Sequence, residues 1–387
     1  MRPLNSDEHR DLTRLRRELH RLAELSGDER ATAARIVDEL TAVGIDSIVE
    51  GLGGLGVAAE IGAEADGPTV LLRADLDALP ISETIDLEHA SRTPRVAHKC
   101  GHDGHMTMAI GVVRRLAAAR PARGRLVVLF QPAEETGEGA AAVIRDPAFK
   151  ALQPDVAIAV HNLPGFELGD LVLRSGTFAC ASRGLTIKLR GATSHAAEPH
   201  RGRSPALAVA QIIESWSAAR QLFTGLDEAA HATVVHATVG SRAFGTSPGR
   251  GAVSATLRAV TDDAIDALEA RLRTVGQGIA DAWALAASWS NAEDFPATVN
   301  DRDVVDAVFD AARTIGLATR NPVGPFPWSE DFGHFGALCP TALIGLGAGT
   351  DTPALHHPTY DFPDALIPHG VALLETTIRT WLGGHEG

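Results

Sequence analysis

The stretch "GRLVVLFQPAEE", Gly124 to Glu135, decides the fold. Leu126 to Phe130 is an unbroken apolar run of strand length, and it ends abruptly in a proline and two carboxylates. That pattern predicts a buried strand with a polar tip. Upstream, "GVAAEIG" and "TVLLRADLDAL" read as strands flanking the turn-rich "AEADGP", and a helix is predicted from about Gly104 to Ala119. Strand, helix, strand is the α/β pattern, in which strand ends carry the chemistry. Further out, Leu12, Leu15, Leu19 and Leu22, then Ile36, Leu40 and Val43, have helical spacing and predict two helices broken near Ser26-Gly27, with Gly44 as a stop.

The middle third changes character. From Gly184 the predicted order is strand ("GLTIKLRG"), helix (Ser204 to about Leu222), strand ("HATVVHATVG"), strand ("GAVSATLRAV"), helix (Asp262 to about Trp283) and strand ("LAASWS"). This βαββαβ succession predicts a ferredoxin-like unit. The chain then returns to α/β habits with a helix near Asp301 to Gly316, the strand "TALIGLG" and a final helix from about Pro368. The expected architecture is a discontinuous α/β catalytic domain, residues 1–182 and 293–387, interrupted by an inserted domain at 183–292.

The 387 residues are 45% hydrophobic and 22% charged, the balance of a globular protein. A formal net charge of -14 opposes binding to nucleic acid or to an anionic membrane surface, so a small-molecule partner is expected. No run approaches the ~18 apolar residues of a membrane span. The charged N-terminal stretch does not read as a secretory signal. Cys100, Cys180 and Cys339 are odd in number and widely spaced, which is no disulfide framework and suits a reducing cytoplasm.

Two motifs fail on context. "GLGGLG" (Gly51 to Gly56) matches a dinucleotide fingerprint, but strand-like "VAAEIG" follows where a helix must open. "GTSPG" (Gly245 to Gly249) matches a nucleophile elbow, yet the residue after its serine is Pro248, which has no N–H to offer an oxyanion.

Polar residues recur near strand ends: Asp75 and Asp77 in "LLRADLDALPI", Glu134 and Glu135, and His161 in "VHNLPG". "HKCGHDGH" adds His98, Cys100, His102, Asp103 and His105, "WSEDFGHF" adds Glu330 and Asp331, and "ALHHPTYDF" adds His356 and His357. Each alone is weak, since a single histidine is usually packed or solvated and an acidic pair usually faces water. Clustered carboxylates repel unless cations compensate them, so jointly they favour a metal site. The set exceeds the four ligands of one zinc ion and could hold two. Cys100 and His102, two apart, are expected to project to one side of an extended segment.

Across nearly the whole chain, "RADLDALPI", "CGHDGH", "FQPAEE", "GATSHAAEPHRG", "SEDF" and "LHHPTYDF" follow in an order that resembles the M20-type metallopeptidase-related amidohydrolases. The resemblance implies a two-metal site with Cys100, His102, Glu135, His161 and His356 as ligands and Glu134 as general base. It places Asp75 and Asp77 around the ligands, with Asp103 a further outer candidate beside His98 and His105. It assigns His195 to oxyanion stabilisation across a homodimer interface formed by the inserted domain, which would serve as lid. Two divalent transition-metal ions are implied, zinc, manganese, cobalt or nickel, and the soft thiolate disfavours magnesium and calcium. Where many relatives carry Asn-x-Ile-Pro, this chain has "FGTSPGRG", leaving Thr246 or Ser247 as polar substitutes, and Arg258 is a candidate for a substrate carboxylate. The expected reaction is hydrolysis of the amide of an N-acyl amino acid or related conjugate. The alternatives are a dipeptidase or carbamoyl-amide hydrolase on the same scaffold, or a metal-dependent binding protein without turnover, which should have lost the base or a ligand.

Overall fold

The computed structural model describes residues 3–224 and 229–383. The chain forms two compact units, Met1–Phe178 with Thr298–Gly324 and Asp331–Gly387, and Ala179–Ala297 with Pro325–Glu330.

The first unit is built on an eight-stranded mixed sheet in the order Ser47–Leu52, Gly56–Gly62, Arg125–Gln131, Thr69–Asp75, Val156–Leu163, Thr341–Gly347, Leu171–Val172, Thr319–Arg320. Its four central strands are parallel and almost wholly buried, which is why they read as continuous apolar runs. Leu12, Leu15 and Leu19 of helix Ser6–Leu22 share one core with Val112, Val113 and Leu116 of helix His102–Ala118 and Leu373, Leu374 and Ile378 of helix Ile367–Leu382. Asn5 caps the first helix in a reciprocal capping box with Glu8, and Gly44, at φ +71°, ends the second, Arg30–Val43.

"GLGGLG" is the hairpin between Ser47–Leu52 and Gly56–Gly62, with Gly51, Gly53 and Gly54 at positive φ, and no helix follows it. The strands Ser47–Leu52 and Thr319–Arg320 at the two edges, and Leu171–Val172 next to one of them, escaped the sequence reading. Two of them are only two residues long, and the third is half exposed without a clean alternation.

The second unit runs strand Ala181–Arg190, helix Ala206–Ser217, strand Ala230–Val239, strand Arg250–Ala259, helix Asp262–Ala282, strand Ala286–Phe295. The sheet is antiparallel throughout, with Ala181–Arg190 and Arg250–Ala259 in the centre. Leu185, Ile187, Leu189, Val253, Ala255 and Leu257 face the helices and share a core with Ile212, Trp216, Leu268 and Leu272. The predicted helix to Leu222 is broken at Ala218, after which a short helix runs Ala219–Phe223. Beyond "GTSPG" lies the strand Arg250–Ala259, as the missing helix of the elbow requires. Among the described residues no helix is long and apolar enough to cross a membrane.

Candidate metal centre

Asp75, Gln131 and His161 stand at or near the carboxyl ends of three adjacent parallel strands, and His356 lies in the loop beyond the fourth. Glu134 and Glu135 follow Gln131 directly. Ala133 before them has φ +53° and His356 has φ +63°, both in the left-handed region that non-glycine residues occupy at a cost. Two contacts hold these conformations. Glu29 Oε1 accepts the Ala133 N–H at 2.8 Å, and the His356 N–H donates to the Lys99 carbonyl at 2.8 Å.

Cys100 and His102 are brought together by a turn, which corrects the expectation of an extended segment. Gly101 has φ +99°, and His102 is already the first residue of the helix His102–Ala118. Any side chain at position 101 would also run into the Asn162 amide.

One potential ligand atom from each of Cys100, His102 and His161 lies within 4.8 Å of the others. The same holds for Cys100, Glu135 and His356, and for His102, Glu134 and Glu135. Cys100 Sγ is 3.4 Å from His161 Nε2. The Glu135 carboxylate spans the cluster, with Oε1 4.0 Å from His102 Nε2 and Oε2 3.8 Å from His356 Nε2. Glu134 Oε2 lies 3.8 Å from His102 Nε2.

The donor set fits a cation on three counts. His102 Nδ1 donates to the Asp77 carbonyl and His161 Nδ1 to the Asn162 carbonyl, both at 2.9 Å, so each ring presents Nε2 to the cluster as a metal-binding imidazole does. His102 Nε2 is buried without a hydrogen-bond partner. Burial alone would lower the His102 pKa, yet Cys100, Asp77 and Asp75 raise it well above its ordinary value, a measure of the negative potential that a cation would compensate.

The outer residues divide. Asp77 supports the cluster directly: its Oδ2 accepts the Glu135 N–H at 3.0 Å and the Ser26 hydroxyl at 2.7 Å, and its Oδ1 is 3.5 Å from His102 Nδ1. Asp75 pairs with the buried Arg73 guanidinium, which also binds Asp331 at 2.5 Å. Among the described residues, Asp103 forms no hydrogen bond or ion pair with a predicted ligand side chain. It accepts the Gly104 N–H within its own first helical turn and bonds to His20. His105 Nε2 meets Asn162 Oδ1 at 2.5 Å, and Asn162 donates to the Tyr360 hydroxyl at 2.6 Å. His98 is buried, and that burial drives its pKa down to about 3, so it is neutral. The exposed His357 ring pairs with Thr359.

In the second unit, His195 is exposed and lies directly opposite Thr246 in a short antiparallel ladder, its Nδ1 accepting the Ala197 N–H at 3.1 Å. Arg258 Nη1 donates to the Pro327 carbonyl at 2.9 Å and to Ser329 Oγ at 3.0 Å.

The sequence reading missed Arg16, His20, Glu29 and Asn162. Arg16 and His20 carried a signal, since Arg16 follows Leu12 by four residues and His20 follows Arg16 by four, on the helix face that turns inward. Glu29 carried none, because its partner Ala133 is 104 residues away.

A model of peptidase family M20/M25/M40 matches residues 71–380. N-acetyl-L-cysteine deacetylase of Bacillus subtilis is 30% identical over 386 residues, covering 99% of this chain and 91% of that protein. N-acetyldiaminopimelate deacetylase of Exiguobacterium sibiricum is 28% identical over 368 residues, covering 95% of this chain and 98% of the relative. Among solved structures, the YXEP protein of Bacillus subtilis, described as a dinuclear metal-binding peptidase of the M20 family, superposes with a TM-score of 0.83 at 26% identity, covering 98% of this chain and 99% of its own. With four-fifths of its length inside the family model and the ligand cluster at the sheet's carboxyl edge, the chain belongs to peptidase family M20/M25/M40.

Proposed function

We propose that this enzyme is a dimetal amidohydrolase that splits N-acyl amino acids or related linear amides into a carboxylic acid and an amine. The observation that carries the reading is the convergence of Cys100, His102, Glu135, His161 and His356 with Glu134 beside them. The deacetylase names of the relatives above support the substrate class.

Two divalent ions, zinc, manganese, cobalt or nickel, would be held by Cys100, His102, Glu135, His161 and His356, with the Glu135 carboxylate and the Cys100 thiolate each facing two donor groups. Bound there, such ions polarise an amide carbonyl and acidify a water. The Glu134 carboxylate would take the proton of a water whose oxygen attacks the amide carbonyl carbon, and hand it to the departing nitrogen as the C–N bond breaks. Asp77 fixes the His102 ring and the Glu135 backbone. The inserted unit is read as a ferredoxin-like lid and dimerisation domain, from which His195 stabilises the oxyanion of a partner subunit's substrate. Its exposure and its place beside Thr246 support that reading, with Thr246 as a substrate-binding residue and Arg258 as a second candidate. A reducing, cytoplasmic setting suits a thiolate ligand.

The test is turnover of the metal-loaded protein on N-acetyl amino acids, dipeptides and ureido acids, with metal content measured. Preference for dipeptides or ureido acids selects the alternative on the same scaffold. No turnover of any of the three with two ions bound refutes the hydrolase.

A further inference from the structure

We infer that the second unit carries an anion site on the open face of its four-stranded sheet, built for a small molecule with a doubly negative phosphate or dicarboxylate group. Along Ala181–Arg190 the side chains of Leu185, Ile187 and Leu189 turn to the helices, so Lys188 and Arg190 turn to the opposite face. The register then sets the cations side by side. Arg250 stands directly opposite Arg190, and Lys188 stands opposite Ala252, one diagonal step from Arg250.

Like charges directly opposite on neighbouring strands destabilise a sheet. Here the cost is not offset from within, for among the described residues none of the three cations has an ion-pair or hydrogen-bond partner. Arg183 on the same strand shows the contrast, being matched by Asp266, Glu269 and Asp294. A chain of net charge -14 has carboxylates to spare, and it places none in this cavity.

The surroundings suit a ligand. The three cations line a cavity of about 580 Å³, within the size range of small-molecule sites and larger than a bare oxyanion. Its floor is small, Gly251, Ala252 and Ala286, which lets a ligand approach the backbone between the long cationic side chains. Thr238 and Ser288 flank Ala252 and Lys188 in one cross-strand row, so a hydroxyl stands at each end. Two guanidinium forks and an ammonium match a group with several clustered anionic oxygens. All of these residues belong to the second unit, and the inference does not rest on the proposed reaction.

The test is thermal unfolding and calorimetric titration of the full-length, metal-loaded protein at fixed ionic strength, with inorganic phosphate, succinate or chloride alone. One dianion should bind saturably and raise Tm where chloride does not; phosphate points to a phosphate ester and succinate to a dicarboxylate. Arg190→Thr should bind that dianion at least about tenfold more weakly, and in chloride it should be as stable as the parent or more so, because the like-charged pair is gone. Lys188→Gln, which leaves the arginine pair, should weaken binding too. Equal binding by Arg190→Thr places the anion elsewhere and overturns the site. So does a lower Tm of that variant in chloride, or the absence of saturable binding by both dianions.

Discussion

His20 Nδ1 lies 2.8 Å from Asp103 Oδ2, while Nε2 of the same ring lies 2.9 Å from Glu83 Oε1. A buried imidazole with a carboxylate at each nitrogen donates from both and is therefore charged. The bond to Asp103 ties the first helix to the helix that begins with His102, and the bond to Glu83 ties it to the loop that precedes that helix. Arg16, one turn earlier, reinforces the tie through Asp361, Asp364 and Asp103.

Stability should therefore fall in mildly alkaline solution. Burial by itself lowers the His20 pKa, but the bonds to Asp103 and Glu83 outweigh it and raise the value from 6.5 to about 9. A pKa raised on folding adds stability that is fully present below 6.5 and is lost as pH rises through about 9. The shift corresponds to roughly 3 kcal/mol. Unfolding of wild type and His20→Gln at pH 6, 7.5 and 9.5 checks this: the gap between them should be widest at pH 6 and shrink towards pH 9.5. A constant gap would contradict a charged His20.

Asp77 should govern metal affinity without binding metal. Its carboxylate holds the Glu135 backbone and the Ser26 hydroxyl beside His102. Asp77→Ala should weaken metal binding about 10- to 100-fold, the usual cost of losing such an outer partner. Chelator competition reads the affinity, and unchanged circular dichroism separates the effect from unfolding.

Glu29 should matter to turnover although it lies far from the glutamates in sequence. It accepts the Gly27 and Ala133 N–H groups, the latter at the strained residue before Glu134. Glu29→Ala leaves that half-buried N–H without its acceptor, a cost of about 1 kcal/mol or more. Chemical denaturation should show the loss and steady-state kinetics a lower kcat, whereas Glu29→Gln, which keeps an acceptor, should retain most of both.

The parts of this fold legible in sequence are those that packing writes into local pattern. Thr69–Asp75 and Thr341–Gly347 are buried along their whole length, so strand character and apolarity coincide. The βαββαβ order could be read because alternating strands and capped helices leave periodic signals, such as Thr261 before Asp262–Ala282. That a metal site is favoured could be read from side-chain types, but the ligand set came only with the family resemblance and the geometry only with the structure. The turn at Gly101 depends on Asn162 packing against it, and the Glu29–Ala133 contact joins segments with no local relation. Asp103 shows the converse: its neighbours in sequence suggest a metal role, while its partners His20 and Arg16 come from another helix.

His195 should act in trans if the dimer reading holds. Its ring is exposed on the second unit beside Thr246. His195→Ala should lose roughly 2–4 kcal/mol of transition-state stabilisation with metal content unchanged. Mixing His195→Ala with Glu134→Gln under subunit exchange should restore activity to at most about half the wild-type level, because one centre per mixed dimer is then intact. No recovery despite proven exchange assigns the residue to its own chain.

The two adjacent glutamates should separate cleanly, since their carboxylates face different groups. Glu135 places one oxygen towards His102 and the other towards His356, so removing it takes a shared donor from both sides of the cluster. Glu134 turns Oε2 towards His102 at 3.8 Å, and its carboxylate also comes within 4.8 Å of an Asp331 oxygen. Glu134→Gln preserves size and hydrogen bonding but cannot accept that proton, so kcat should fall by about 10² or more while two ions per chain remain. Glu135→Ala should lose metal, measured by elemental analysis after gel filtration, and lose turnover with it. Added metal at high concentration should partly rescue Glu135→Ala, because its base is intact, and should do nothing for Glu134→Gln. Near-normal kcat in Glu134→Gln would remove the base from the mechanism and leave the proton transfer to another group.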